Sequence, residues 1–137
     1  MIYTTTFDTP YCSIILAGNE EGLCHLHLDT GEVQQINEYM TGKRQQFKVK
    51  LNPHGTVFQK RVWHELTMIG YGELESYKEV ACAIGNPNGA RAVGMANSKN
   101  PIPLIIPCHR VVGANGKLTG FAHGLAIKEK LIVLEQA

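Results

Sequence analysis

The sequence has no apolar run near the roughly 20 residues that span a bilayer, so no transmembrane helix is expected. Its opening residues, Met1-Ile2-Tyr3-Thr4-Thr5-Thr6-Phe7-Asp8, lack the charged and apolar regions of a secretory signal. An intracellular, cytoplasmic protein is therefore expected. Gly (14) and Pro (6) fall without a period, which excludes collagen-like and low-complexity architectures. No internal repeat or linker tract interrupts the 137 residues. Charged residues are scarce at 18%, and with 44% apolar residues the chain can bury a core. The length suits one domain, or one domain carrying a small partner.

Acidic residues are missing from 80–128, where Arg91, Lys99, Arg110, Lys117 and Lys128 all fall. Two readings fit: a buried Gly/Ala-rich segment that excludes charge, or a basic face suited to a polyanion and hidden inside a net charge of +1. Residues 1–53 carry four basic and six acidic side chains, and residues 54–137 carry nine and six. The four cysteines, Cys12, Cys24, Cys82 and Cys108, form no CxxC pair and no zinc-finger spacing. Cys24-His25-Leu26-His27 is the one local Cys/His cluster, and on a strand Cys24 and His25 point to opposite faces. Neither a metal site nor a disulfide framework is expected, and Cys12, Cys24 and Cys82 read as small core hydrophobes.

The first fifty residues read as β structure. Ile2–Phe7, Tyr11–Ala17 and Leu23–Leu28 predict an antiparallel meander with polar turns between its strands. Val33–Met40 predicts a short helix, and Phe47–Leu51 alternates like an edge strand. The turn Asn52-Pro53-His54-Gly55 marks a boundary between 1–53 and 54–137. Beyond it the period becomes 3.6. Thr56 caps a helix with Phe58, Val62, Leu66 and Ile69 on one face, ended by Tyr71-Gly72. Ser76 and Glu79 form a capping box for a second helix to Ile84. Asn88 caps a third, from Gly89 to about Asn97, so the last two make a helix-turn-helix candidate. A closing helix runs from Leu125 to Glu135.

Two segments stand out chemically. Gly89-Ala90-Arg91-Ala92-Val93-Gly94 sets one cation among small residues, at a helix cost of about 1 kcal/mol per glycine. Tight helix packing would explain that, and so would a face stripped for backbone approach to another body. Pro101, Pro103 and Pro107 prevent a helix and present Cys108 at the end of an extended apolar run, followed by His109 and Arg110. A thiol becomes a good nucleophile near neutral pH beside a base or a cation. Adjacent side chains on an extended chain face apart, so the Cys-His pair alone decides nothing.

The wider frame resembles a known family. Pro107-Cys108-His109-Arg110-Val111 is similar to the active-site motif of the methylated-DNA–protein-cysteine methyltransferases, the O6-alkylguanine-DNA alkyltransferases. Phe58-Gln59-Lys60-Arg61-Val62-Trp63, Tyr71-Gly72-Glu73, Ser76-Tyr77, Ala90–Gly94, Asn100-Pro101, Gly120-Phe121-Ala122 and Gly124-Leu125 follow that family's pattern in order. Tyr3-Thr4-Thr5 to Gly22-Leu23 resembles the small N-terminal domain of bacterial members, here shortened. The resemblance implies an α+β fold class: a small N-terminal antiparallel β domain (1–53), then a mostly helical C-terminal domain (54–137) with a winged helix-turn-helix-like DNA-binding motif.

The resemblance also implies roles. Cys108 accepts the alkyl group, and His109 acts through a bridging water with Glu135 behind it. Tyr77 gives its hydroxyl proton to the departing guanine. Val111, Asn100, Pro103, Phe121 and Ala122 surround the base; the hydroxyls some relatives carry at the Phe121 and Ala122 positions are lacking here. Arg91 fills the space left by a flipped base, and Gly89, Ala90, Ala92 and Gly94 keep the helix thin enough for a minor groove. The implied partner is double-stranded DNA containing O6-alkylguanine, with the protein monomeric and no cofactor or metal required. Zinc ligands of some relatives are not matched by Cys12, Cys24, His25 and His27. Three alternatives remain: an alkyltransferase-like protein that flags lesions without repairing them, a dimeric helix-turn-helix regulator, and a thiol hydrolase.

Overall fold

The computed structural model of the chain describes residues 3–8, 13–19, 22–23, 30–118 and 125–137, with side chains over 34–118 and 125–137. Strands β1 (Tyr3–Asp8), β2 (Ser13–Asn19) and β3 (Gly22–Leu23) form an antiparallel sheet in that order. Tyr3 lies opposite Gly18, and Asp8 lies opposite Ser13. The β-branched and aromatic run Tyr3-Thr4-Thr5-Thr6-Phe7 favours that extended geometry. Beyond Leu23, the expected third strand lies outside the described residues, as do Cys12, Cys24, His25 and His27.

Helix α1 (Thr30–Met40) starts three residues before the helix expected at Val33. It buries Ile36, Tyr39 and Met40, the i, i+3, i+4 stripe of an amphipathic helix. Phe47–Leu51 is not the continuous edge strand the sequence reading expects, since Leu51 alone of the five makes a β-bridge. Its alternation survives, since Phe47, Val49 and Leu51 pack against the core. Its backbone, however, is served by a side chain. Gln35 Nε2 donates to the Lys48 carbonyl at 3.1 Å, and Gln35 Oε1 accepts from the Lys48 N–H at 2.8 Å. One amide thus satisfies both polar groups that a neighbouring strand would have paired.

Helix α2 (Val57–Leu66) opens on a complete capping box. The Thr56 hydroxyl accepts from the Gln59 N–H at 3.0 Å, and Gln59 Oε1 accepts from the Thr56 N–H at 2.9 Å. The helix stops at Leu66, a turn before the expected Tyr71-Gly72. Met68 and Ile69 donate to carbonyls three residues back, at 3.0 and 3.1 Å, so the chain tightens into a 3₁₀-like turn. Ile69 stays buried all the same. Trp63 Nε1–H crosses to the Ala96 carbonyl at 2.8 Å and ties α2 to the fourth helix.

Strand β4 (Glu75–Ser76) runs into α3 (Tyr77–Ala83), where Ser76 and Glu79 complete a second capping box with both bonds at 3.0 Å. Helix α4 (Ala90–Ser98) follows after a turn. Asn88 does not cap it; Gly89 is the N-cap and makes no side-chain cap bond. The Gly89 N–H instead donates to the Asn86 carbonyl at 2.9 Å. A Cβ on Gly89 would lie 2.6 Å from Asn86 Nδ2 and 3.1 Å from its carbonyl oxygen, so a larger residue would have to push the Asn86 side chain aside. Strand β5 (Val111–Val112) pairs in parallel with β4, Glu75 opposite Val111, and α5 (Leu125–Gln136) closes the described chain.

Ile36 and Tyr39 of α1 share one hydrophobic cluster with Val62, Leu66, Val80, Val93, Ile102, Cys108 and Leu131. The acid-free stretch divides. Arg110 and Lys128 are buried, whereas Arg91, Lys99 and Lys117 are exposed. Lys128 is therefore removed from the basic face expected to attract phosphates. Cys82 is exposed, contrary to its reading as a core hydrophobe. Thr56→Ala should remove one cap of α2 and lower stability by about 1 kcal/mol in denaturant melts. An unchanged midpoint would show that the box contributes nothing.

Candidate active site

Proline sets the approach to the thiol. The loop between α4 and Cys108 is stapled by Asn100, whose Nδ2 donates to the Ile106 carbonyl at 2.8 Å while its Oδ1 accepts from the Ile102 N–H at 2.9 Å. Leu104 sits in the left-handed region at φ 78, at a cost of about 1–2 kcal/mol for a non-glycine residue. Its side chain is buried, so core contact holds the strained turn closed. Cys108 does not end an extended strand, as the sequence suggested; it begins a 3₁₀ turn, Cys108–Arg110, after Pro107. With three residues per turn, neighbouring side chains diverge in azimuth without lying on opposite faces. The Cys108 carbonyl accepts from Asn97 Nδ2 at 3.3 Å and from the Val111 N–H.

From that turn, His109 and Arg110 reach one carboxylate on α5. His109 Nε2 lies 2.7 Å from Glu135 Oε2. Arg110 grips the same group bidentately, Nε to Oε1 at 2.8 Å and Nη2 to Oε2 at 3.0 Å, and its Nη1 donates to the Ile69 carbonyl at 2.7 Å. The Gly72 N–H reaches Oε1 at 3.3 Å; Gly72 is left-handed at φ +80, and a Cβ there would lie 3.1 Å from the Glu135 carbonyl oxygen. The Tyr39 hydroxyl, carried in on α1, donates to Oε2. Burial alone would push the Glu135 carboxyl up, but the bonds from His109 and Arg110 hold it down at about 2.

An ionised carboxylate can only accept, so Nε2 of His109 carries the ring hydrogen. Burial lowers the proton affinity of this fully buried imidazole, with Glu135 opposing. Neutral His109 therefore presents a bare Nδ1, which has no hydrogen-bond partner among the described residues. Such an atom is an acceptor held ready for a proton.

The thiol is buried too, and burial pushes it up to about 11, against the pull of the Asn100 side chain and the Lys128 charge. It rests protonated at neutral pH and needs a base at the moment of reaction. Lys128 has no exposed surface, and burial lowers its proton affinity while the Cys108 charge raises it. Its ammonium also lies 5.8 Å from the Tyr77 ring centroid. Lys128 thus links the thiol to Tyr77, the first residue of α3. Sequence reasoning left open whether Lys128 lies on a basic face or in a buried segment, and passed over Tyr39. The readable signal for Lys128 was its helical spacing, three residues before Leu131 and seven before Glu135.

The structure brings Cys108, His109, Glu135, Arg110, Asn100 and Lys128 together, with Tyr77 beside Lys128. Val111 is buried next to the turn, and Pro103 is half-buried in the preceding loop. Arg91 and Ala92 are exposed on α4, Ala90 and Gly94 are half-buried, and Gly89 is buried. A Cβ on Gly94 would meet the Tyr77 ring at 3.8 Å, so α4 passes close to that ring. Phe121 and Ala122 lie outside the described residues. No group of three or more His, Cys, Asp or Glu among the described residues could hold a metal.

Residues 57–137 match the model of the 6-O-methylguanine DNA methyltransferase DNA-binding domain. The chain belongs to this family. It is 46% identical to the methylated-DNA–protein-cysteine methyltransferase of Methanosarcina acetivorans, over 98% of each chain. The crystal structure of Mycobacterium tuberculosis O6-methylguanine methyltransferase superposes with a TM-score of 0.91 at 42% identity, covering 99% of this chain and 93% of that one. The structure of M. tuberculosis OGT in complex with DNA matches at a TM-score of 0.89 and 44% identity, over 96% of this chain and 91% of that one. The alignment with the M. tuberculosis methyltransferase runs over 155 positions, of which the 137 residues of this chain fill only part.

The carboxylate that orients His109 should also make this methyltransferase acid-sensitive. Glu135 binds protons less tightly folded than unfolded, so its contribution is complete above about pH 4.5 and is lost as pH falls toward 2. Glu135→Gln should cost about 3 kcal/mol at neutral pH by leaving Arg110 poorly paired. It should also flatten the decline of stability between those two pH values. Parallel pH–stability curves for the two proteins would exclude the carboxylate as the acid-labile group.

Proposed function

We propose that the protein repairs O6-alkylguanine in double-stranded DNA by irreversible transfer of the alkyl group to Cys108. It is then a methylated-DNA–protein-cysteine methyltransferase that each molecule performs once. The observation that carries this reading is a buried thiol, in a chain of this family, beside a neutral histidine backed by an ionised carboxylate. In the reaction, the Cys108 sulfur attacks the alkyl carbon in line as the carbon–O6 bond breaks. The thiol proton passes through a bridging water to His109 Nδ1. Tyr77 gives its hydroxyl proton to the departing base, so guanine leaves neutral. The His109 imidazolium then loses its proton to water and the Tyr77 phenolate regains one from water, so the net result moves one proton from thiol to guanine. The product thioether resists hydrolysis, which makes the protein a reactant consumed by its own chemistry.

A base stacked in a duplex cannot reach a thiol that is only 4% exposed, so the nucleotide is flipped out. We assign α3 and α4 as the helix-turn-helix that enters the minor groove, with the loop after β5 in the position of a wing. Exposed Arg91 on α4 occupies the gap left by the base, and Ala90, Ala92 and Gly94 keep that helix narrow. Lys99 and Lys117 add sequence-independent attraction to phosphates. Around the flipped base we place Val111, Asn100, Pro103, Phe121 and Ala122. The Cys108 carbonyl already accepts two bonds, which favours the Val111 carbonyl for the exocyclic amine. In this reading residues 1–53 form a small β domain and 54–137 the DNA-binding and acceptor domain, working as a monomer in the cytoplasm.

Intact-protein mass after mixing with an O6-methylguanine oligonucleotide should show one methyl adduct on Cys108, never more than one per molecule, and none with Cys108→Ala. An unmodified wild-type protein would sink the proposal. Arg91→Ala should slow repair of duplex DNA about tenfold, the equivalent of about 1.4 kcal/mol of the few that unstacking costs. Reaction with free O6-benzylguanine should be little changed. Equal losses on both substrates would remove the base-flipping role.

A further inference from the structure

Tyr39 belongs to α1, outside the residues 57–137 that carry the family's DNA-binding domain, yet it ends inside the relay. Its side chain is fully buried, with the ring stacked in a tilted arrangement 5.4 Å from Phe47 and edge-on to Tyr71 at 6.1 Å. Its hydroxyl donates to Glu135 Oε2, the oxygen that orients His109, and lies 3.4 Å from His109 Nε2. We infer that Tyr39 is a positioning residue of the alkyl-transfer relay: it shares Glu135 Oε2 with His109, fixing the carboxylate and limiting its pull on the imidazole. The inference rests on the repair reading above and assigns a part of that site to the N-terminal segment.

The electrostatics follow from the geometry. Five groups surround the Glu135 carboxylate: Tyr39 from α1, the Gly72 N–H before β4, His109, and two guanidinium nitrogens of Arg110. Tyr71 feels the same charge, and Lys128 of α5 faces His109 with the opposite sign. A carboxylate that gives up one hydrogen bond becomes more basic and holds the imidazolium more strongly. Without the Tyr39 hydroxyl, His109 would be charged at a higher pH and would have no bare Nδ1 to accept the thiol proton. Burial and the Glu135 charge keep the phenol itself protonated, so it acts only as a donor.

Tyr39→Phe tests this, because the ring contacts with Phe47 and Tyr71 are kept. The acid limb of the alkyl-transfer rate against pH should move up by about half a unit, which is roughly a threefold slower reaction well below the limb's midpoint, with the gap closing above it. In a Glu135→Gln background the same change should move the limb no further. A loss that is uniform with pH would mark Tyr39 as packing only and overturn the inference. So would an unshifted profile, or a full shift in the Glu135→Gln background. Nitrogen shifts of His109 in unreacted Tyr39→Phe protein should show the same rise in its titration and do not depend on turnover. A wild-type protein that transfers no alkyl group would refute the repair reading instead, and the histidine titration would still decide the contact.

Discussion

A single buried carboxylate organises this molecule. Glu135 receives hydrogen bonds from the first helix, from the turn that carries the thiol, and from the chain just before β4. Each donor alone could not offset the cost of taking the charge out of water, and each would be stranded if the carboxylate were lost. The set is therefore cooperative in a strong sense, because removing one member harms all the others. It is also why a proton relay can sit inside a hydrophobic cluster. Ion pairing by Arg110 cancels the net charge, so His109 can remain neutral and oriented at zero exposure.

Local chemistry was readable in the chain; distant chemistry was not. Thr56 as a cap and Ser76 with Glu79 as a box announce their helices because each hydroxyl's backbone partner lies three residues on. The β1–β2 pairing follows from β-branched runs flanking turn residues. Phe47–Leu51 misled because the partner of Lys48 within it is an amide thirteen residues away on a helix, which no strand pattern encodes. Asn88 looked like a cap, but the turn closed by the Gly89 N–H on the Asn86 carbonyl puts Gly89 at that position.

The site divides along the same line. The Pro-Cys-His-Arg run and Glu135 were identified through the family resemblance, whereas Tyr39 meets them across 70 and 96 residues and belongs to no short motif. Lys128 could not be placed from the acid-free stretch alone, and its full burial is unusual for a lysine. Its burial matters to the chemistry in two directions. The ammonium stabilises a thiolate, yet the same dry surroundings push the thiol to about 11. The resting nucleophile is thereby kept protonated and unreactive until a base acts on it.

The bond between Trp63 and the Ala96 carbonyl has one more consequence. Trp63 is the chain's single tryptophan, is 2% exposed, and lies across the seam between α2 and α4. Its indole N–H is fixed to the backbone of the helix that carries Arg91. Intrinsic fluorescence of the unlabelled protein is therefore an optical signal from that seam alone, uncontaminated by any second indole. Any shift of α4 as it seats in a groove would change the indole's hydrogen bond and surroundings, and so its emission.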